Sequence, residues 1–522
     1  MRLTTKLHKP ISHLLEWVKN TNPIIVTFAC FGFAVLVILF VLLATFHSQY
    51  VRLEGAAWTM VIGVILAFLL ISIAQYPSLK KMSRVESWPI IVTFFIILTI
   101  IHVMIALSLR INPLSSGWDP MTVYHSSQQL LIGQPLTIEE QVYFTAYQNN
   151  LAIVSMLVAI GKVLAVTGTD GLLVGLVIVN VIVMQSALIF SYLTARRLGG
   201  RRAAVVTLGF GIVFFTFSLW SRTFYTDTIG MFFTAASIFL LTLLHGEQKS
   251  ERRILLSIGF ATVIGVGYTI KPTVIFIAIA VAIVYWPSVV RLGATTLRRI
   301  IIMITIIGLL IAPTFVVQTV LAHAMNIQGK SMPLTSFVML GLSKVCTTEE
   351  CRIGAWNLAD AKLYDNRISN ETYERQVIDT IGNRLGEYGP FGYVQFLGQK
   401  GSWIFGDGTF YAYREGAESS ARLIDGKSII TTFLHPSGKF YEAFTLFLQV
   451  VWIALLLLIA LFAILQYRRS LPKPLSVIYL SLLFLTIFLL LFEGRSRYLY
   501  LYMPLFIVAG GYGAAKMRQL KK

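Results

Sequence analysis

The chain has 522 residues, of which 56% are hydrophobic and only 13% charged. Soluble globular domains carry roughly 25% charged residues, so a soluble fold is excluded. Its net charge of +19 does not imply nucleic acid either, because the basic residues fall in short tracts between apolar runs, as in cytoplasmic loops under the positive-inside rule. These tracts hold Lys80, Lys81 and Arg84; Arg196, Arg197, Arg201 and Arg202; Lys249, Arg252 and Arg253; Arg468, Arg469 and Lys473; and Lys516, Arg518, Lys521 and Lys522.

Residues 1–23 are polar and basic, and the apolar run at 24–46 is too long for a cleaved signal peptide, so it reads as a retained first span. Further spans are expected at 57–77, 88–109, 171–194, 202–220, 227–245, 254–270, 272–288, 299–321, 444–466, 475–492 and 498–515. The fold expected is therefore all-α and polytopic, with about twelve transmembrane helices. One more apolar run, 151–167, would flip every later basic tract outward if it crossed. Read as a membrane-dipping or surface helix, it leaves all basic tracts and both termini on the cytoplasmic side.

Two larger regions then lie outside. In 110–170, Asp119 followed by Pro120 reads as a helix start and Gly133 as its stop. That helix is polar on one side (His125, Ser126, Gln128, Gln129) and apolar on the other (Val123, Leu130, Leu131), which suits a membrane-surface segment. The second region, 322–443, has basic and acidic residues in near balance and helix-like patterning at 357–385, and is expected to be a mainly helical extracytoplasmic domain. Cys346 and Cys351 lie in it, where a disulfide is permitted; a metal pair is less favoured, since no histidine is close. Division of the chain follows as 1–87 (N-terminal segment and two extra spans), 88–321 (membrane core with the first external loop), 322–443, and 444–522 (last spans and basic tail).

Few charged residues remain at the outer ends of the spans: Asp119, Arg222, Asp227, Lys271, Glu493, Arg495 and Arg497. Ionisable groups at membrane depth are usually functional or paired. Simple structural roles exist for each: Asp119 and Asp227 as helix caps, Lys271 snorkelling from a turn before Pro272, and Glu493 pairing with Arg495 and Arg497. Together, one carboxylate and several cations fit transfer of a sugar from a lipid phosphate. That chemistry needs one base for the acceptor hydroxyl and cations for the departing phosphate. A hydrolytic glycosidase needs paired carboxylates. Neither an HExxH zinc motif nor a Walker loop is present.

The order of these features resembles the bacterial, protein O-mannosyltransferase-like branch of the GT-C integral-membrane glycosyltransferases. It is carried by an aspartate in the first external loop, then "YFTAYQNN" (143–150), "ARRLGGRR" (195–202), "FYTDT" (224–228), "GVGYTIKPT" (265–273), "GSWIFGDG" (401–408) and "EGRSRYLYLYMPLF" (493–506). The resemblance implies Asp119 as catalytic base and Asp227 as a second-loop acid shaping the site. Lys271, Arg495 and Arg497 would face the lipid phosphate, with Arg222, Tyr225, Tyr143, Asn149 and Trp403 as further substrate-binding residues. It also implies a polyprenyl-phosphate-sugar donor, inversion at the anomeric carbon, a cell-envelope glycan, lipid or protein as acceptor, and a bacterial plasma membrane with the site on its outer face. Pro120 stands where wider relatives often carry an acidic or polar residue, so no second carboxylate, and no divalent metal or other cofactor, is indicated. The aromatics of "WIFGDGTFYAY" (403–413) serve equally as a sugar-stacking surface or as a seal onto lipid headgroups. Competing readings are a transporter or flippase, whose polar groups belong near the midplane within broken helices, and a lipid-linked glycan polymerase or ligase.

Overall fold

Uninterrupted apolar runs become helices here because only a helix satisfies every backbone donor and acceptor without water. The computed structural model describes residues 24, 26–45, 56–76, 88–108, 119–164, 169–214, 216–290, 296–329, 331–346, 351–364, 370–412, 432–433, 438–466 and 471–517. Among them, eight helices are long and apolar enough to cross a bilayer: Val26–Thr45, Ala57–Gln75, Gly171–Gly199, Thr226–Gly246, Ser250–Ile270, Ile304–Ala324, Tyr441–Leu465 and Lys473–Leu491. Shorter apolar helices stand at Ile91–Leu107 and Pro272–Tyr285, and Met503–Lys516 is a buried helix of 14 residues. The expected span at 202–220 is instead two helices, Arg201–Val213 and Thr216–Ser221, because Phe214 between them leaves the helical region (φ −83°, ψ 78°). Its ring turns inward to stack on Trp452 and meet Phe217 and Phe410 edge-on.

Tyr441–Leu465 is the axis of the bundle, with 78% of its apolar window buried, whereas Ile304–Ala324 has 6% buried and stands almost bare. Trp452 on this axis and Tyr479, Tyr500, Tyr502 and Phe217 on other elements are all fully buried. Residues 151–163 form a helix of 13 residues. At 1.5 Å per residue it is about 20 Å long, short of the ~30 Å hydrocarbon layer.

Within 322–443 the expected helical content gains one exception. Lys344–Cys346 and Cys351–Ile353 pair as an antiparallel hairpin in which Cys346 faces Cys351, and the two cysteines are bonded. A hairpin this small is marginal alone; the cross-link and the packing beneath it hold it. The helical patterning at 357–385 resolves into Leu358–Ala361 and the long helix Asn370–Phe405. Arg384 of the latter grips Asp360 with two nitrogens at 2.7 and 2.9 Å, a fork geometry that ties the two helices together.

Lys400, also on the long helix, is fully buried. Its ammonium donates to the carbonyls of Gly341 (2.7 Å), Leu490 (3.1 Å) and Phe492 (2.6 Å). The first two are orphan acceptors at the C-terminal ends of helices Leu334–Gly341 and Lys473–Leu491, where the helix dipoles favour a cation. One side chain thus caps two helices. Lys400→Met, which keeps the length and removes the donors, is expected to destabilise the detergent-solubilised protein by about 1–3 kcal/mol. Lys344→Met, at an exposed lysine, is expected to leave the thermal midpoint unchanged, and the two melting curves compare them directly.

Candidate functional site

Asp119 opens the helix Asp119–Leu131, with Pro120 inside its first turn. The helix ends where Gly133 takes φ 78°, so that Gln134 N–H reaches Gln129 O (2.9 Å) and Gly133 N–H reaches Leu130 O (3.3 Å), a Schellman closure. The turn that follows feeds helix Ile138–Ala146, a short 3-10 turn at Gln148–Asn150, and helix Leu151–Val163.

This path folds the loop back over Asp119. Tyr143 donates its hydroxyl to Asp119 Oδ1 (3.0 Å), and Tyr225, arriving from the distant 220–228 turn, donates to Asp119 Oδ2 (3.1 Å). Asn150 joins the two phenols, donating to Tyr143 Oη (2.7 Å) while its Oδ1 lies 3.4 Å from Tyr225 Oη. Asn149 donates to that same Oδ1 at 3.1 Å, so it reaches Asp119 only through Asn150. Burial, and next the negative charge of Asp119, push both tyrosine hydroxyls well above the usual phenol range. They keep their protons and serve Asp119 as donors. Asp119 itself is partly exposed, so the carboxylate is oriented by neutral donors and open on one side.

A second carboxylate in this loop escaped the sequence reading. Glu140 is buried and accepts from Ser126 Oγ (2.7 Å), from Thr137 N–H (2.9 Å), and at 2.8 Å from His125 Nδ1. Burial alone would raise its pKa; the bonds from His125, Ser126 and Thr137 outweigh that and hold it below 4.5. Of the expected polar face of helix 119–131, Ser126 is buried and bonds Glu140, whereas His125 reaches Glu140 from an exposed position. The signal that could have found it is "TIEE", a Thr with Glu three residues on, which forms a capping box at Thr137 and Glu140.

Asp227 was expected to cap its helix. Tyr225 occupies the cap position instead, and the Asp227 carboxylate faces inward, with no exposed surface. Lys271 Nζ lies 2.9 Å from its Oδ1 and Arg497 Nε 3.2 Å from its Oδ2. These are close ionic contacts without hydrogen-bond angles. Lys271 stands at the turn between helix Ser250–Ile270 and the 3-10 turn Pro272–Val274, its ammonium 4.5 Å above the Tyr498 ring. Arg497 lies over the rings of Tyr498 (5.2 Å) and Tyr225 (5.9 Å). Tyr225 is thus the link, with its hydroxyl on Asp119 and its ring under the guanidinium that holds Asp227.

Arg495 approaches Glu493 at 3.8 Å and lies 5.8 Å from the Tyr411 ring centroid. Glu493 accepts from Tyr498 Oη at 3.0 Å. Asp407, in the glycine-rich turn, binds Thr409 and Tyr411 N–H and also takes a hydrogen bond from Ser496 (2.8 Å). It thereby locks the aromatic turn to the loop that carries Arg495 and Arg497. Burial, then the negative charges of Asp119 and Glu493, push the Tyr147 hydroxyl well above the usual phenol range. Arg222 is buried and donates to Ala412 O, which fastens the aromatic turn. Trp403 is a core side chain, 4% exposed, because the end of the long helix turns it into the bundle. Among the described residues no group of three or more His, Cys, Asp or Glu is placed to hold a metal ion.

Fold and site define a polytopic α-helical membrane protein with a charged, tyrosine-lined cluster gathered at helix ends. Residues 17–517 match a family model described as conserved hypothetical integral membrane protein, and the chain belongs to that family. No curated protein matches. Among solved structures, the Archaeoglobus fulgidus oligosaccharyltransferase tethered with an acceptor peptide containing the NVT sequon aligns at TM-score 0.28 and 15% identity, over 81% of this chain and 55% of that one. The same protein in complex with Zn and sulfate aligns at TM-score 0.24 and 15% identity, over 76% and 53%. The chain spans about half the length of these structures, and scores this low fall short of a shared fold.

Two outcomes follow from the geometry. Asp227→Asn strands Lys271 and Arg497 beside a neutral amide and is expected to cost roughly 3–5 kcal/mol of stability, read from thermal unfolding in detergent. Glu140→Gln is expected to cost about 1–3 kcal/mol at neutral pH. Because its folded pKa is depressed, the stability Glu140 adds is complete above the unfolded value of 4.5 and disappears as pH falls through the folded value. Melting curves of wild type and variant should converge as the buffer is taken below that value.

Proposed function

We propose that the protein is an inverting glycosyltransferase that moves a sugar from a polyprenyl-phosphate carrier to a cell-envelope acceptor at the outer face of a bacterial plasma membrane, with about twelve spans and both termini cytoplasmic. The observation that carries this reading is the juxtaposition of an open carboxylate, Asp119, with the Arg497–Asp227–Lys271 ion cluster through one shared side chain, Tyr225. Asp119 accepts the proton of the acceptor hydroxyl as its oxygen forms a bond to the anomeric carbon. The bond from that carbon to the phosphate oxygen breaks, and the polyprenyl phosphate leaves with the electron pair, so no acid is needed for the leaving group.

Side-chain exposure ranks the cations for the phosphate. Lys271 (16%) and Arg495 (13%) show surface, whereas Arg497 (4%) is sealed against Asp227. Lys271 and Arg495 therefore contact the phosphate, and Arg497 sets the position of Asp227 and Tyr225. Tyr143 and Asn150 hold Asp119 in place. Each of these groups sits at a helix end: Asp119 and Asp227 at starts, Lys271 after a helix, Arg495 and Arg497 between helices. A transporter would place its polar groups near the midplane of broken spans.

The test is transfer from synthetic polyprenyl-phosphate sugars to membrane extracts by the purified protein in vesicles. Wild type should label an acceptor, and Asp119→Asn should lose on the order of 10²–10⁴-fold in rate with donor binding retained. Near-wild-type transfer by Asp119→Asn overturns the base; no transfer from any such donor by wild type overturns the function.

A further inference from the structure

The long helix Asn370–Phe405 changes character at one point. Its first part, 370–387, carries Glu371, Glu374, Arg375, Asp379, Arg384 and Glu387, whereas 388–399 carries no charge. The boundary is a physical kink: Gly389 adopts φ 58°, ψ 176°, and Pro390 follows. A left-handed residue and an imino acid both break the i to i−4 ladder.

Beyond the kink, the helix lies across the ends of two membrane spans. A methyl group placed on Gly398 would lie 3.4 Å from Leu43, and Gly401 sits against Phe40 too closely to admit one. Phe405 stacks on Phe40 at 5.6 Å, and Gly406 lies against Ala44. Leu43 and Ala44 are the two residues before the last of Val26–Thr45. Lys400 meanwhile holds the carbonyls of Leu490 and Phe492, where Lys473–Leu491 ends. Both spans end, in the chain's direction, beneath this half-helix, so it runs at the level where they leave the hydrocarbon.

Nearer the kink, two large apolar side chains of the same half-helix point away from the protein. Phe391 is 93% exposed and Val394 is 68% exposed, while Tyr388 and Phe396 one turn away stack inward at 4.8 Å. Phe391 lies about 14 Å along the helix from Lys400. An uncharged half-helix that starts outward-facing at Phe391 and Val394 and ends against the ends of two spans fits the headgroup and acyl boundary of a bilayer.

We propose that residues 390–399 form a half-helix embedded in the membrane interface, with Phe391 and Val394 seated among lipid chains and the charged part, 370–387, in water. The half-helix runs on into the turn at Asp407–Tyr411, which packs on Arg495. Its depth therefore sets the depth of the cation cluster at the lipid surface.

The inference does not depend on any catalytic activity, and neither does its test. The full-length protein, with Cys30→Ala to leave only the bonded pair, is labelled with a nitroxide at Phe391→Cys, Val394→Cys or, as reference, Glu374→Cys. It is then placed in vesicles of phosphatidylethanolamine and phosphatidylglycerol in equal parts. Labels at 391 and 394 are expected to collide with oxygen several-fold more than with a water-soluble nickel chelate, and the label at 374 to show the reverse. Nickel accessibility at 391 and 394 equal to that at 374 overturns the proposal. Labels closed to both reagents and broadened by a neighbouring spin would show that a second copy covers the patch, and overturn it equally. All three positions are exposed, so the substitutions leave the packing intact, which a matching gel-filtration profile checks.

Discussion

The arrangement turns on one buried carboxylate. Asp227 has no contact with solvent, and a lone charge in that position would cost several kcal/mol. It is tolerated because Lys271 and Arg497 approach its two oxygens from separate parts of the chain. Three connections that have no reason to meet are thereby fixed at one point: the start of Thr226–Gly246, the turn after Ser250–Ile270, and the loop before Met503–Lys516. Two residues before Asp227, Tyr225 projects its hydroxyl to Asp119. The geometry at the open carboxylate is inherited from the sealed one.

The loop from Phe492 to Tyr498 has little regular structure of its own, so its groups must be satisfied from outside. Glu493 N–H reaches Phe337 O at 2.7 Å and Gly494 N–H reaches Gly354 O at 2.9 Å. Lys400 takes the carbonyl of Phe492, and Asp407 takes the hydroxyl of Ser496. Helix 334–341, the disulfide-bonded hairpin, the long helix and the aromatic turn each supply one restraint. The 322–443 segment thus has a definite mechanical role: it clamps the loop that carries two of the three cations.

Sequence patterning revealed the scaffold better than the contacts. Apolar runs marked helices, eight of them of spanning length among the described residues, because burial in lipid is written in composition. The break at Phe214 is invisible locally: its ring stacks on Trp452, far along the chain. Asp119, Asp227, Lys271, Arg495 and Arg497 were recognisable because charge is rare in such a chain. Of their partners, Tyr143 and Tyr225 came into view only through the family resemblance and Asn150 not at all, since a tyrosine or asparagine carries no mark of its neighbours. Nothing in the sequence singles out Lys400, which is fully buried, because only three-dimensional packing brings three carbonyls around it. Trp403 shows the opposite error: an aromatic in a polar, glycine-rich stretch resembles a binding platform, yet the helix turns it into the core.

The two aspartates show how environment assigns roles to identical side chains. Asp227 faces two cations and no solvent, so a proton there would have to displace an ion pair. Asp119 faces two phenols that keep their own protons, and it is partly exposed; it can take a proton without dismantling a buried pair. Counting the named groups, Asp119, Asp227 and Glu493 balance Lys271, Arg495 and Arg497. In the proposed reaction, a proton arriving on Asp119 removes one negative charge and leaves the cluster one positive charge over. That surplus appears as the departing phosphate gains its negative charge, when stabilisation by fixed cations lowers the barrier most. The coupling requires Asp119 and the cations to be close but not paired, and the ring of Tyr225 between Asp119 and Arg497 maintains that separation.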